Sequence, residues 1–138
     1  MAFTESEIEY LAGQRLGRLA TLRPDGTLQN SPVSYRYDAG AGTIDITGYN
    51  LTASRKFRNV AATGQVAFVV DDLPSVDPWR VRCLEVRGTA EAIESPAGSA
   101  YDAGVPIIRI HPRQIISFGL DQSDVDPHQL VSSNRHVA

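Results

Sequence analysis

The chain has 138 residues, 42% of them hydrophobic and 21% charged, which fits one ordinary globular domain and excludes a disordered polymer. Its net charge of −3 argues against a non-specific nucleic-acid binder, and no apolar run approaches the ~20 residues a membrane helix needs. Met1-Ala2-Phe3-Thr4-Glu5 carries neither the basic nor the apolar region of a signal peptide, so a cytoplasmic location is expected. Cys83 is the only cysteine, which excludes an internal disulfide and a cysteine-built zinc site.

The first expected element is a short helix. Thr4 is a good N-cap, Glu7 completes a capping box, Phe3 and Ile8 form a hydrophobic staple, and Gly13 is the expected stop. From Arg15 the period changes to two. Leu16, Arg18, Ala20 and Leu22 fall on one side of a strand, Gly17, Leu19 and Thr21 on the other. After the turn Pro24-Asp25-Gly26, a second strand is expected over 28–37. It ends in the alternation Val33, Tyr35, Tyr37 against Ser34, Arg36. A third strand is expected over 43–48. A helix follows over 54–62, with Phe57, Val60 and Ala61 as its buried stripe and Gly64 as its end. Residues 65–70, nearly all apolar, read as a central fourth strand, and 71–79, with Pro74 and Pro78, as a loop. A fifth strand spans 80–93 with a bulge or bend near 84–88. Residues 94–105 read as a loop or short helix, and 106–120 as a sixth strand kinked at Pro112. The polar tail 121–138 is expected to be partly disordered. Six strands with short turns favour antiparallel pairing and closure into a barrel, within a single domain over 1–138.

Candidate chemistry sits in three stretches. Asn50 to Arg58 holds Arg55, Lys56 and Arg58, with no acid between Asp45 and Asp71. Thr52 or Ser54 caps the helix there, and its free N–H groups and dipole favour an anion. Cations in a first turn oppose the dipole at a cost of a few tenths to ~1 kcal/mol each, which a bound phosphate or carboxylate would offset. The competing reading is a solvated basic face. Gln29-Asn30-Ser31-Pro32-Val33 puts polar and turn-type residues into a strand, and Pro32 cannot donate to a ladder. Either this is an edge strand or bulge, or its open backbone groups face a flat polar ring. Pro78-Trp79-Arg80, with Arg82 on the side of Arg80, suits a planar anion by stacking and charge. Otherwise Trp79 caps the barrel end. His111, His128 and His136 form no HxxxH or HxH pair, so no metal site is expected. A GxSxG elbow, a dinucleotide fingerprint and a Walker loop are absent. An anion clamp and a flat platform without a strong acid, base or nucleophile suit a redox cofactor that brings its own chemistry.

Four motifs recur in a familiar order over about residues 4–120. They are Gly17-Arg18-Leu19-Ala20-Thr21-Leu22-Arg23-Pro24-Asp25-Gly26 after a short helix, and Asn30-Ser31-Pro32-Val33-Ser34-Tyr35. The third is Ser54-Arg55-Lys56-Phe57-Arg58-Asn59-Val60, before a strand ending Val69-Val70-Asp71-Asp72, and the last is Glu85-Val86-Arg87-Gly88-Thr89-Ala90. In these the chain resembles the pyridoxamine-phosphate-oxidase-like split β-barrel superfamily, and within it the actinobacterial members that depend on the deazaflavin coenzyme F-420. The resemblance implies a mainly β protein, a six-stranded antiparallel split β-barrel of the FMN-binding type. It implies a homodimer with cofactor sites at the subunit interface, and neither nucleic acid nor membrane as partner. The cofactor's phosphate or acidic tail would meet Lys56 and its neighbours Ser54 and Arg55. The ring would lie along Asn30, Ser31, Pro32 and Val33 and near Thr47, with Trp79 and Arg80 of the partner subunit completing the pocket. The activity implied is hydride transfer between the deazaflavin and an unsaturated small-molecule substrate. The alternatives are an FMN-dependent oxidoreductase on the same fold, or a cofactor-binding module without turnover.

Overall fold

The computed structural model describes residues 2–94, 105–121 and 125–137. The first helix, α1 (Glu5–Gly13), begins in the expected capping box. Glu7 N–H donates to Thr4 Oγ1 at 3.2 Å, and Thr4 N–H donates to Glu7 Oε1 at 2.9 Å. Gly13 is the last helical residue rather than the stop; extended Gln14 ends the helix. β1 (Leu16–Leu22) buries the face of Gly17, Leu19 and Thr21. Gly17 has a steric reason: a Cβ there would stand 2.4 Å from the Phe68 ring, which itself meets Tyr35 edge-on at 5.3 Å.

β2 (Leu28–Asp38) and β3 (Thr43–Thr47) complete a meander with β1. Ser54 caps α2 (Arg55–Thr63), and Gly64 ends it at φ 69°. Phe57 and Val60 are buried as the spacing predicts, but Ala61 is exposed and Asn59 takes the third buried position. Asn59 is admitted because its amide donates to Thr21 Oγ1 at 3.0 Å. β4 (Gln65–Val76) and β5 (Trp79–Ile93) form one long hairpin. The expected loop over 71–79 is therefore strand, then a tight turn with a cis Asp77–Pro78 peptide, then strand. β6 (Ile107–Phe118) pairs with β5, and the ladder jumps between Arg87 and Gly88, where a bulge was expected. The expected loop or short helix over 94–105 falls almost wholly outside the described residues.

The sheet runs β3-β2-β1-β4-β5-β6, and β3 pairs back onto β6, so six antiparallel strands form a ring. Inside it lie Leu19, Ile44, Phe68, Val70, Leu84 and Ile110 with their neighbours. The closing seam is short: Ile44↔Ile110, Asp45↔Arg109 and Ile46↔Ile108. In this register Arg36, Asp45, Arg109 and Glu91 lie opposite one another across four strands, a row of alternating charge. Asp45 is fully buried; Arg109 donates to both its oxygens at 3.1 Å, and Thr43 Oγ1 donates to Oδ1 at 3.1 Å.

The tail holds a seventh strand that the sequence does not suggest. β7 (Ser133–His136) pairs with residues 114–117 of β6, on the edge that β3 leaves free. Over that stretch the tail, expected to be partly disordered unless a partner orders it, is ordered by β6 of the same chain. Polar side chains do not oppose a ladder made by backbone groups, and Arg135 anchors it. Its guanidinium donates to Glu7 Oε2 at 3.0 Å, to Glu7 Oε1, and to Ala2 O at 2.6 Å. Ser117 Oγ donates to Glu7 Oε2 at 2.7 Å. Burial pushes the Glu7 carboxyl pKa up, but Arg135, the Thr4 N–H and the Ser117 hydroxyl together hold it below its ordinary value.

Candidate functional site

β2 has both strand neighbours only at Ser34, where its pairing passes from β1 to β3. Residues 28–34 pair with β1 and residues 34–38 with β3, so around Pro32 one edge of β2 has no strand beside it. Proline fits there because no ladder bond is asked of it on that side. The alternation of the strand separates the residues expected to share one ring-facing surface. Asn30 and Pro32 lie on the outer face, opposite Ala20 and Arg18 of β1; Thr47, opposite Ser34, joins them. Ser31 and Val33 point inward. Val33 is buried, and Ser31 Oγ is buried with no hydrogen-bond partner.

The outer face continues from β1 to Ala67 and Val69 of β4 and Glu85 and Arg87 of β5. Ala20 and Ala67 are its floor. Two shallow clefts of about 250 and 230 Å3 meet over them, one reaching Asn30 and Arg18, the other Leu28 and Gln65. Arg18 pairs with Asp71 at 2.5 Å. Leu16 and Leu28 stand 58% and 74% exposed on this face. Sequence reasoning did not select Arg18, Ala20 and Ala67, although the period of two already put Arg18 and Ala20 with Leu16.

The start of α2 is tied to this region through the barrel wall. Ser54, not Thr52, is the cap: its Oγ accepts from Phe57 N–H at 3.3 Å and donates to Leu51 O at 2.6 Å. Further along, Asn59 donates to Thr21 Oγ1, which donates to Gln29 Oε1 at 3.3 Å. Thr63 Oγ1 donates to Leu22 O at 2.8 Å. Helix and β2 stretch are thus brought together. Arg55 and Arg58 are exposed, Lys56 is half-buried, and the first turn has no acid. Three cations around a capped helix start whose first turn has no acid fit a phosphate-bearing cofactor.

Trp79 and Arg80 are not brought to that helix within one chain. They open β5, whereas α2 meets β5 at its other end, where Ala90 N–H donates to Gly64 O at 2.9 Å. The strand path from Trp79 to Ala90 is roughly 35 Å at ~3.3 Å per residue. Trp79 is 53% exposed, which removes the reading of a buried barrel cap, and Arg80 Nη1 donates to Trp79 O at 2.9 Å. Arg82 is committed elsewhere. It donates to both oxygens of Asp72 at 2.9 and 2.6 Å and lies over the Tyr10 ring. Those bonds hold the Asp72 carboxyl below its usual range. Burial, then the Asp72 hydrogen bond, push the Tyr10 hydroxyl up. Among the described residues no three His, Cys, Asp or Glu side chains converge on a metal position.

An antiparallel ring with one strand half open, and a cationic helix start tied to that strand, is the split β-barrel of flavin-binding oxidoreductases. The chain belongs to the pyridoxamine 5'-phosphate oxidase family, whose model matches residues 3–123. Over 124 residues, 88% of this chain and 86% of the relative, it is 48% identical to the 5a,11a-dehydrotetracycline/5a,11a-dehydrooxytetracycline reductase of Streptomyces rimosus. Like that relative, it is an oxidoreductase. Among solved structures, a conserved hypothetical protein of Mycobacterium tuberculosis matches with a TM-score of 0.69 at 22% identity, over 95% of this chain and 93% of that one. An F420 reductase matches with 0.53 at 28% identity, over 71% and 86%. The FAD binding protein of Mycobacterium smegmatis matches with 0.61 at 18% identity, over 83% and 93%. The two likenesses below 25% identity bear on the fold alone.

Proposed function

We propose that the protein is a coenzyme F-420-dependent reductase, transferring hydride between the deazaflavin and an unsaturated fused-ring substrate. The observation that carries this reading is the carboxylate-free cationic start of α2, tied through Asn59, Thr21 and Gln29 to the open edge of β2. The 48% identity to a dehydrotetracycline reductase supports the substrate class, a carbon–carbon double bond in a tetracycline-type compound. The F420 reductase at 28% identity supports the cofactor. Bound deazaflavin supplies the hydride chemistry. This chain's residues bind and orient: Lys56 and Arg55, with the Ser54-capped helix start, take the phosphate or acidic tail. Asn30, Pro32 and Thr47, which share the outer face, line the place of the ring, with Ser31 and Val33 behind them in the barrel wall.

The test is a titration with coenzyme F-420 and, separately, with FMN. Lys56→Ala should weaken F-420 binding by about 1.5–3 kcal/mol, or about 10- to 150-fold in Kd, the worth of a charge-assisted hydrogen bond. Unchanged affinity would remove Lys56 from the site. Tighter binding of FMN than of F-420 would replace this reading by the FMN-dependent one. Tight F-420 binding without turnover of any enone would leave a binding module.

The working unit we propose is a homodimer joined through the outer face. Exposed Leu16 and Leu28 beside the alanine floor support it, as does the separation of Trp79 and Arg80 from α2, which a partner subunit would bridge. Leu28→Asp should convert the dimer to monomers at micromolar concentration by light scattering, and should weaken F-420 binding with it. A wild-type monomer would refute the composite pocket.

A further inference from the structure

The connection from β3 to α2 carries an aromatic side chain that stands clear of the fold. Tyr49 is 102% exposed, the most exposed of the described large hydrophobic residues. The backbone beneath it is nonetheless fixed. Leu51, two residues on, is buried and seats the short 3-10 helix Leu51–Ala53 in the core. Asn50 turns the chain in the left-handed region at φ 53°. Ala53 N–H donates to Asn50 O at 3.1 Å, and Ser54 N–H donates to Leu51 O at 2.9 Å. An ordered turn therefore holds the Tyr49 ring out into solvent.

Its place along the chain is specific. Thr47, on the outer face with Asn30 and Pro32, stands two residues before it. Two Cα steps of about 3.8 Å keep Tyr49 within about 7.6 Å of Thr47. Ser54, the cap of the cationic helix, stands five residues after it. Tyr49 thus lies beside the place proposed for the cofactor ring, on the stretch that leads to the place proposed for the phosphate. A flat ring laid against β2 has one face on the strand and one face open. A side chain that reaches only solvent meets the open face, where the hydride acceptor has to lie.

We infer that Tyr49 is a specificity-determining residue, whose ring stacks on the flat conjugated part of a fused-ring substrate and holds it over the open face of the cofactor ring. The inference rests on the reading of the protein as an F-420-dependent reductase of fused-ring compounds. Several fused rings present a broad π-face, and tyrosine offers a matching face at the ordering cost of only two side-chain torsions. Stacking is the property selected; the hydroxyl is not required for it.

The probe is tetracycline, titrated by calorimetry into the full chain with oxidised F-420. The oxidised cofactor has no hydride to give, so binding is read without turnover. Tyr49→Ala should weaken tetracycline binding about fivefold or more, the lower end of what is lost when an aromatic stacked on a flat ring is truncated. Tyr49→Phe, which keeps the π-face, should bind within about twofold of the wild type. F-420 affinity, Tm and the mass by light scattering should be the same in all three proteins. Unchanged tetracycline affinity in Tyr49→Ala overturns the inference. So does a loss of F-420 affinity in the same proportion, which would give the ring to the cofactor site. A lower Tm or a smaller mass for Tyr49→Ala also overturns it, because the ring then serves the protein's own packing. A wild-type chain that binds F-420 but not tetracycline overturns the inference and the fused-ring substrate class, and leaves the cofactor. Tetracycline binding that depends on Tyr49 in a chain that does not take up F-420 keeps the stacking residue and overturns the reductase reading.

Discussion

Arg135→Ala is expected to destabilise the protein by about 3 kcal/mol, the lower end of the ~3–5 kcal/mol seen when one partner of a buried ion pair is removed. The lower end applies because the guanidinium keeps 29% of its surface in solvent while the Glu7 carboxylate keeps 1%. What remains after the change is a buried carboxylate with one hydroxyl and one N–H, and a β7 strand with no anchor to Ala2. A Tm drop of roughly 10–15 °C follows for a domain of this size. The pH dependence separates this cause from lost packing. In the native protein the Glu7 pKa is lowered, so its stabilising contribution is present above its ordinary value of 4.5 and is lost as pH falls below it. In the variant burial acts unopposed by the cation, the carboxyl prefers to be neutral, and acid relieves the penalty. The gap between the two proteins in urea denaturation should therefore narrow as pH drops below about 4.5. A gap that is constant with pH would show that the ion pair is not its source.

Asp45→Ala should cost a similar ~3–4 kcal/mol, for the complementary reason. It strands Arg109, whose side chain is 16% exposed and whose remaining acids are Asp38, 3.6 Å away, and Glu91 across the ladder. It also strikes the middle of a seam only three residue pairs long. The double variant Asp45→Val with Arg109→Met should be more stable than Asp45→Ala, because it leaves no stranded guanidinium and costs only the longer 3.6 Å contact of Arg109 with Asp38. Hydrogen exchange at 44–46 and 108–110 should accelerate in the single variant and recover in the double one. Additive costs would mean that the seam is held by its isoleucines and not by the pair. Thr47 follows the seam directly, so an opened seam should also loosen the place proposed for the cofactor ring.

Features with a local cause were readable in the chain. The capping box, the αL glycine after α2, the two faces of β1 and the bulge near Gly88 each depend on residues within a few positions, and each is found. What failed depends on distant partners. Pro74, Pro78 and two aspartates gave 71–79 the composition of a loop, but a hairpin tip tolerates proline where the ladder is interrupted. Ser133-Asn134-Arg135-His136 offers no apolar alternation; its strand is specified by the edge of β6 and by Glu7, more than a hundred residues upstream. Ala61 satisfied the helical spacing, yet Asn59 is buried because Thr21 offers it a hydrogen bond that no periodicity encodes. In the site, Pro32 correctly marked the half-open strand. The parity of β2 then divides Asn30 and Pro32 from Ser31 and Val33, which a motif read as a string does not resolve.

The Arg135 clasp also constrains the order in which the chain can be made. Translation delivers Glu7 early and Arg135 128 residues later. On the ribosome the barrel strands therefore emerge while the backbone of 114–117 is uncovered and the Glu7 carboxylate lacks its cation. A nascent barrel in that state presents a bare strand edge to its neighbours on the same message, the geometry from which swapped or sheet-extended aggregates grow. Chains stalled or clipped just before β7 would be the hazardous ones, although of the described apolar side chains packed in or on the core they lack Val137 alone.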